Sequence, residues 1–138
     1  EIVALLPIEH RLATRKRLAA RDFAGETLIT YPVPDDRIDL IRRVLQPAGI
    51  EPARRTAELT VAILQLVASR RGVAALPSWG VQSYVEHDYV RALPIGPKGL
   101  WSELHAVLPT SLADRAYMQD MAAILREQCA RLPAVQAL

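Results

Sequence analysis

The sequence has little that would support a disulfide, a metal site or a nucleic-acid surface. Its 138 residues include one cysteine, Cys129, which excludes an internal disulfide and is typical of a reducing compartment. The three histidines, at positions 10, 87 and 105, lack the spacing of metal ligands, so neither a metal nor a cofactor is expected. The net charge is only +2 and aromatic residues make up 5%, too little to indicate a nucleic-acid-binding surface.

Segments for membrane insertion or export are also missing from the sequence. No apolar run approaches the ~20 residues that a membrane-spanning helix needs. The first seven residues lack the basic region and cleavage site of a secretory signal. The chain starts without Met, and these residues resemble a strand from the middle of a longer protein. The sequence therefore predicts a cytoplasmic protein without a membrane partner.

No set of residues in the sequence indicates catalysis. The six glycines are dispersed singly, so there is no glycine-rich phosphate loop. The serines and Cys129 have neither an elbow motif nor a His–Asp pair beside them. His105 falls in a predicted strand, where a packed or pocket-lining role is favoured. The chain is not expected to be an enzyme.

The most informative stretch is 59–79. Almost every residue of 59–68 is apolar or small, Thr60 can cap a helix there, and Gly72 can take the left-handed position after its end. The four apolar residues 73–76 then predict a strand that Pro77 stops. A helix that is apolar on nearly all sides must be covered nearly all round, so this stretch predicts a buried helix–strand unit.

Helices and strands alternate along most of the chain. Strands are predicted at 2–6, 27–31, 54–57, 73–76, 89–93 and 100–108, and helices at 36–46, 59–71, 78–88 and 114–131. Asp35 and Asp36 are the expected caps of the helix at 36–46, and Ser78 is the expected cap of the helix at 78–88. This order predicts an α/β fold with a mostly parallel sheet, which binds ligands at the carboxyl ends of its strands.

Several local patterns resemble the effector-binding domain of LysR-type transcriptional regulators. Residues 67–77 are similar to that family's helix–Gly–strand–Pro signature, and His10-Arg11-Leu12-Ala13 resembles its His-Pro-Leu-Ala hinge, with Arg11 in place of proline. Residues 23–26 fit the entry into the second lobe, and 100–109 the strand that returns to the first. Within the family, the likeness is to regulators of methionine biosynthesis; it is carried by 31–33, Arg37-x-Asp39, 45–50, 74–79, 99–101 and Leu132-Pro133.

The resemblance implies a fold of two α/β lobes similar to periplasmic solute-binding proteins. Residues 1–14 would be a crossover strand and hinge of the first lobe, 15–97 the second effector-binding lobe, and 98–138 the return strand and C-terminal helix of the first lobe. The first lobe would then be incomplete in this chain.

The resemblance also implies a function, the sensing of a small co-inducer, with homocysteine as the effector. It implies a homodimer or tetramer, and DNA binding only through an N-terminal winged helix-turn-helix that these residues do not include. Two alternatives stay open: a periplasmic-type solute-binding component of a transporter, and a LysR-type regulator that senses a different small molecule.

The candidate site residues fall into two groups. The effector site is expected where strands 27–31 and 73–76 end and helix 59–71 begins, at Tyr31, Pro32, Val33, Leu59, Thr60, Val61, Pro77, Ser78 and Trp79. A role as helix cap would by itself explain the threonine at position 60, and packing within the lobe would by itself explain the tryptophan at position 79. A dimer interface is expected at Arg37, Ile41, Arg42, Leu45, Arg54 and Arg55, although Arg37 and Asp39 could simply pair with each other or with a partner chain.

Overall fold

The computed structural model describes residues 1–132 and 135, and it divides the chain into two bodies, Glu1–Trp101 and Ser102–Leu138. The proline of the Leu132-Pro133 segment, which contributed to the resemblance, lies outside the described residues. The end of the predicted 98–138 segment lies partly outside them as well.

The first body is built on a five-stranded mixed sheet with the order β3-β2-β4-β1-β5. Its strands are β1 (Ile2–Leu6), β2 (Thr27–Thr30), β3 (Ala53–Thr56), β4 (Val73–Pro77) and β5 (Arg91–Pro94). Strand β2 is parallel to β3 and β4, whereas β1 is antiparallel to β4 and β5, so β1 alone runs against the other four. The predicted α/β fold with a sheet flanked by helices is confirmed.

Both faces of the sheet are buried at its central strands, because β1, β2 and β4 alternate apolar side chains between two cores. On one face, Ala4 and Leu6 of β1 pack with Leu28, Phe23 and Leu45. On the other face, the alternate residues of the same strands, among them Val3, Leu5 and Ile29, pack with three residues of α1 (Thr60–Ala68), which are Ile63, Leu64 and Val67. Helix α1 therefore covers one face of the sheet.

The two ends of α1 differ from the prediction. Leu59, not Thr60, is the N-cap residue, and its side chain makes no capping bond. At the other end Arg70, not a glycine, takes the left-handed conformation, with a φ of 60°. The amide of Arg71 donates to the carbonyl of Leu66 (2.9 Å) and that of Arg70 to Val67 (2.9 Å), which is a Schellman motif. The left-handed conformation costs a non-glycine residue about 1–2 kcal/mol.

Gly72 serves a different purpose from the one predicted. A Cβ atom on it would lie 2.3 Å from the carbonyl oxygen of Thr27 and 3.1 Å from the Ile29 side chain. Only a residue without a side chain therefore lets β4 begin this close to β2.

Helix α1 is also covered less fully than expected, since Val61 is 55% exposed.

In place of the helix predicted at 36–46, a 3₁₀ turn is followed by one continuous helical segment, 39–48, whose hydrogen-bond pattern changes along its length. A 3₁₀ turn at Asp35–Arg37, a π turn at Ile41–Leu45 and a 3₁₀ turn at Gln46–Ala48 follow one another, and Gly49 ends the series with a φ of 66°. The predicted apolar stripe is buried all the same at Ile41 and Leu45. Neither Asp35 nor Asp36 makes a side-chain cap bond.

Ser78 likewise does not cap a helix. A 3₁₀ turn at Ser78–Gly80 leads into the short helix α2 (Gln82–Glu86), and neither element has a side-chain cap bond. The third predicted helix is therefore split in two.

The predicted strand at 100–108 is not formed among the described residues. Leu100 makes a single bridge to Ile2, and the following residues extend without a partner strand, with Leu104 72% and Val107 88% exposed. A strand requires a neighbour to satisfy its backbone, and β1, which Leu100 approaches, already has β4 on one side and β5 on the other.

In the second body, α3 (Ala116–Ala130) begins two residues later than predicted, and none of its residues is buried. Tyr117, Met121 and Ile124 on this helix are each more than half exposed. Across the described part of the chain, no helix is both long and apolar enough to cross a membrane.

Candidate functional site

The carboxyl ends of β2, β3 and β4 lie side by side along one edge of the sheet, because these three strands are parallel. This row of strand ends, called the effector edge below, is distinct from the edge strands β3 and β5. Tyr31–Val33 follow β2, the first turn of α1 follows β3, and Pro77–Trp79 end β4 and follow it. Strand β1 starts at the same edge, where the carbonyl of Glu1 accepts a bond from the amide of Ser78 (2.9 Å). The topology thus places all nine predicted effector residues at this edge.

A hydroxyl pair joins two of the three segments. The phenol oxygen of Tyr31 and the hydroxyl oxygen of Thr60 lie 2.5 Å apart, and either can be the donor. Because one O–H is used between them, the other remains able to donate, and both oxygens keep lone pairs that can accept. The capping role predicted for Thr60 is replaced by this tertiary bond.

Arg54 on β3 fixes the loop that carries Tyr31. Its Nε donates to the hydroxyl oxygen of Thr30 (2.8 Å), and its Nη2 donates to the carbonyl oxygens of Tyr31 (3.0 Å) and Val33 (2.6 Å). Its Nη1 pairs with the carboxylate of Asp35. The guanidinium thus binds the strand end, the loop and the following turn at once, and its rigid fork suits such a set of acceptors.

The first turn of α1 presents backbone donors at the same edge. The first helical bond runs from the amide of Ile63 to the carbonyl of Leu59 (3.0 Å), so the amides of 60–62 precede the helical ladder. Leu59 provides no side-chain cap for these amides, which lie at the positive end of the helix dipole. Such a helix start is suited to a carboxylate or another small anion.

Apolar side chains are exposed around these polar groups. Val33 is 38%, Leu59 64% and Trp79 44% exposed. Beside Trp79, the hydroxyl of Ser78 is buried and has no hydrogen-bond partner in the described part of the chain. An unsatisfied buried hydroxyl is uncommon in folded proteins, and small-molecule sites combine apolar side chains with a few convergent polar groups.

The residues predicted for a dimer interface are not brought together on one surface. Ile41 and Leu45 lie in the core, so their side chains are not available to a partner. Arg54 is engaged at the effector edge, and Arg42 donates to Asp39 (2.7 Å). Arg37 and Arg55 are exposed.

Sequence reasoning missed the residues that hold the site in place. Thr30, Asp35 and Arg54 act through contacts that span 19–24 positions of the chain. The one signal in the sequence was an arginine in a short, otherwise polar edge strand, and it was interpreted as an interface residue.

Comparison with known proteins identifies the family of the chain. The family model "LysR substrate binding domain" matches residues 1–130. The HTH-type transcriptional regulator MetR of Haemophilus influenzae is 42% identical over 139 residues, which cover 100% of this chain and 45% of the relative. MetR of Salmonella typhimurium is 36% identical over 138 residues, covering 99% of this chain and 43% of the relative. The chain thus spans less than half the length of these relatives.

Solved structures show the same fold. The regulatory domain of NMB2055 (MetR) from N. meningitidis superposes with a TM-score of 0.91 at 47% identity, covering 100% of this chain and 64% of that one. A putative LysR family regulator from Pseudomonas aeruginosa has a TM-score of 0.77 at 20% identity, covering 94% of this chain and 46% of that one, and supports the fold alone.

Proposed function

Because the chain belongs to the family of LysR substrate-binding domains, we propose that it senses a small molecule for a cytoplasmic transcription regulator of methionine biosynthesis. The MetR relatives support this role, since two of them match the chain over essentially its whole length. The curated relatives are transcriptional regulators, which favours a sensing role over a transport component or a catalytic role. DNA would be bound by another part of the longer protein.

The proposed effector is an amino acid, homocysteine by resemblance. Its carboxylate would lie against the amides that begin α1, where the helix dipole favours an anion. Its ammonium group needs acceptors, and the Tyr31–Thr60 hydroxyl pair supplies them. The apolar part of the side chain would contact Trp79 and Val33, which are exposed at the same edge. The observation that carries this proposal is the convergence of free amides and paired hydroxyls at one edge of the sheet.

We further propose the division into lobes implied by the resemblance: 1–14 as crossover strand and hinge, 15–97 as the sensing lobe, and 98–138 as segments of the first lobe. In the complete protein, the first lobe would then close the effector site from its open side.

Isothermal calorimetry on the complete two-lobe protein tests the site. Homocysteine, methionine and an aromatic acid are titrated into the wild type, Thr60→Val and Thr60→Ser. Removal of one hydroxyl bond of ~1 kcal/mol should weaken homocysteine binding by roughly five- to tenfold in Thr60→Val, whereas Thr60→Ser keeps the hydroxyl and should bind within about twofold of wild type. Equal affinity in Thr60→Val, or binding of the aromatic acid alone, would contradict the proposal.

A separate measurement tests the proposal that another part of the longer protein binds DNA. The present chain should bind DNA only weakly and without sequence preference, with a Kd of about 10⁻⁴–10⁻⁶ M or weaker that rises with salt. Selective binding to a promoter fragment by this chain at physiological salt would refute it.

We also propose that the protein forms a homodimer or tetramer through β3 and the turns at 35–48. Strand β3 is an edge strand whose four residues are all exposed, and unpaired strand edges are natural docking surfaces. Arg37, Arg42 and Arg55 remain candidates for this surface, whereas Ile41, Leu45 and Arg54 have roles within the fold.

A further inference from the structure

A cavity of about 280 Å³ opens at the opposite edge of the sheet, where β1 ends and β2 and β4 begin. Three connections wall it: the loop after β1 with Glu9, His10 and Arg11, the residue Glu26 before β2, and the link from α1 to β4 with Arg70 and Gly72. All of these residues belong to the first body. Its volume, at the low end for ligand pockets, suits a small metabolite.

Charges of both signs line this cavity in equal number. Glu26, whose side chain is only 15% exposed, accepts from Arg11 (2.6 Å) and lies 3.5 Å from Nε2 of His10. Nδ1 of His10 accepts the amide of Leu12 (3.3 Å), so this contact assigns the proton of the neutral ring to Nε2, on the side of Glu26. Glu9 pairs with Arg70 at the mouth. Two carboxylates thus face two guanidinium groups.

The left-handed Arg70 is the second observation that points to this place. Glycine is the usual residue at this position of a Schellman motif, since it takes a positive φ without steric cost. Here the position keeps a long cationic side chain that lies over the cavity. Backbone strain of this kind clusters at binding and switch sites, and the side chain of Arg70 pairs here with Glu9.

From these features we propose that the cavity is a second ligand site, separate from the effector edge, that binds a small zwitterion such as a free amino acid. The ligand's carboxylate replaces Glu9 on Arg70, and its ammonium group binds the buried carboxylate of Glu26. A zwitterion exchanges one ion pair for two and keeps the cavity neutral. The displaced Glu9 side chain, 74% exposed, stays in water, whereas a simple anion or cation would leave the cavity with a net charge.

The test uses ¹⁵N-labelled chain and a titration followed by NMR. The probes are glycine, L-alanine and L-methionine, with acetate and ethylamine as the two halves of a zwitterion. Binding of an amino acid should shift the amides of Glu26 and Gly72 saturably. Arg70→Gly and Glu26→Gln should each weaken it by about tenfold or more, which corresponds to ~1.4 kcal/mol.

The variants separate loss of a ligand contact from loss of the fold. Arg70→Gly relieves the left-handed backbone, so it should melt at a higher temperature than wild type while it loses the ligand. Arg71→Gly changes the neighbouring exposed arginine, which does not line the cavity, and should bind as wild type does. Thr60→Val, at the opposite edge of the sheet, should also leave this binding unchanged.

Three results would overturn the proposal. The first is no saturable shift with any amino acid at the highest soluble concentration. The second is binding of acetate or ethylamine as tight as that of the amino acids. The third is a shift centred on Thr60 and abolished by Thr60→Val, which would assign the ligand to the proposed effector edge instead.

Discussion

The phenol oxygen of Tyr31 lies 2.5 Å from the hydroxyl oxygen of Thr60, and this contact joins the end of β2 to the first turn of α1 across 29 positions of the chain. Both side chains are partly buried, so the bond is shielded in part from water. The same two hydroxyls are proposed to bind the effector, which makes the contact important for stability and for recognition.

The first prediction concerns this bond alone. Tyr31→Phe and Thr60→Val should each lower the free energy of unfolding by about 0.5–1.5 kcal/mol, because each removes one hydroxyl of the pair. The double variant should lose less than the sum, with a coupling energy of about 0.5 kcal/mol or more. Urea unfolding of the four proteins measures this, and Thr56→Val on the exposed strand β3 is the control. Strictly additive losses would mean that the bond contributes nothing.

The second prediction concerns the arginine that fixes the site loop. Arg54→Lys keeps the charge but not the fork, so it should lower the free energy of unfolding by about 1–2 kcal/mol through lost bonds to carbonyl and hydroxyl oxygens. Hydrogen exchange should accelerate at the amide of Val33, which donates within the loop to the carbonyl of Tyr31 (2.9 Å). Arg55→Lys, on the same strand, should change neither quantity. Unaltered exchange in Arg54→Lys would show that the loop is held in another way.

The third prediction concerns Arg70. Arg70→Gly should raise the free energy of unfolding by about 0.5–1 kcal/mol, since glycine takes the left-handed conformation without strain. For a body of this size, a gain of 1 kcal/mol corresponds to roughly 4–8 °C in Tm. The lost pair with Glu9 subtracts little, because both side chains are about two-thirds or more exposed. Arg71→Gly is the control, and an equal or lower Tm in Arg70→Gly would contradict the assignment.

The fourth prediction separates core from surface among residues that looked alike in the sequence. Leu45 is fully buried, so Leu45→Ala should lower the free energy of unfolding by about 2–5 kcal/mol. Leu104, which was expected in a buried strand, is 72% exposed, and Leu104→Ala should stay within about 0.5 kcal/mol of wild type. Chemical denaturation measures both, and a similar loss in the two variants would contradict this placement.

The fifth prediction tests the proposed assembly. Arg55→Glu reverses a charge on the exposed edge strand β3, and it should weaken self-association about tenfold or more if that edge pairs with a second copy. Arg91→Glu makes the same change on β5, the other edge strand, and should leave association unchanged. Sedimentation velocity over a concentration series decides the matter; wild type that stays monomeric throughout would refute the proposal.

Most of the fold could be predicted because its signals are local. Strands β1, β2 and β4 are short apolar or β-branched runs that end at Pro7, at Tyr31-Pro32 and at Pro77. Prolines that end a strand can be recognised in the sequence. Helix α1 is apolar over one continuous stretch and ends before a glycine. These elements were found within one to three residues of their bounds.

The errors arose where a distant contact overrides a local preference. Thr60 and Asp35 are good capping residues, yet Thr60 bonds to Tyr31 and Asp35 to Arg54, partners that no local pattern reveals. Residues 100–108 have the composition of a strand, but a strand forms only beside another. The stripe of Ile41 and Leu45 identified a buried face correctly, and assigning it to an interface confused burial in the fold with burial against a partner.

The close approach at Gly72 has a genetic consequence. Every missense change at this position adds a Cβ atom, and that atom would lie 2.3 Å from the carbonyl oxygen of Thr27. The identity of the new residue is therefore secondary, because all replacements begin by forcing β4 away from β2. In a survey of natural or random variants, codon 72 should tolerate synonymous changes only, even though the neighbouring codon for the exposed Arg71 accepts many residues.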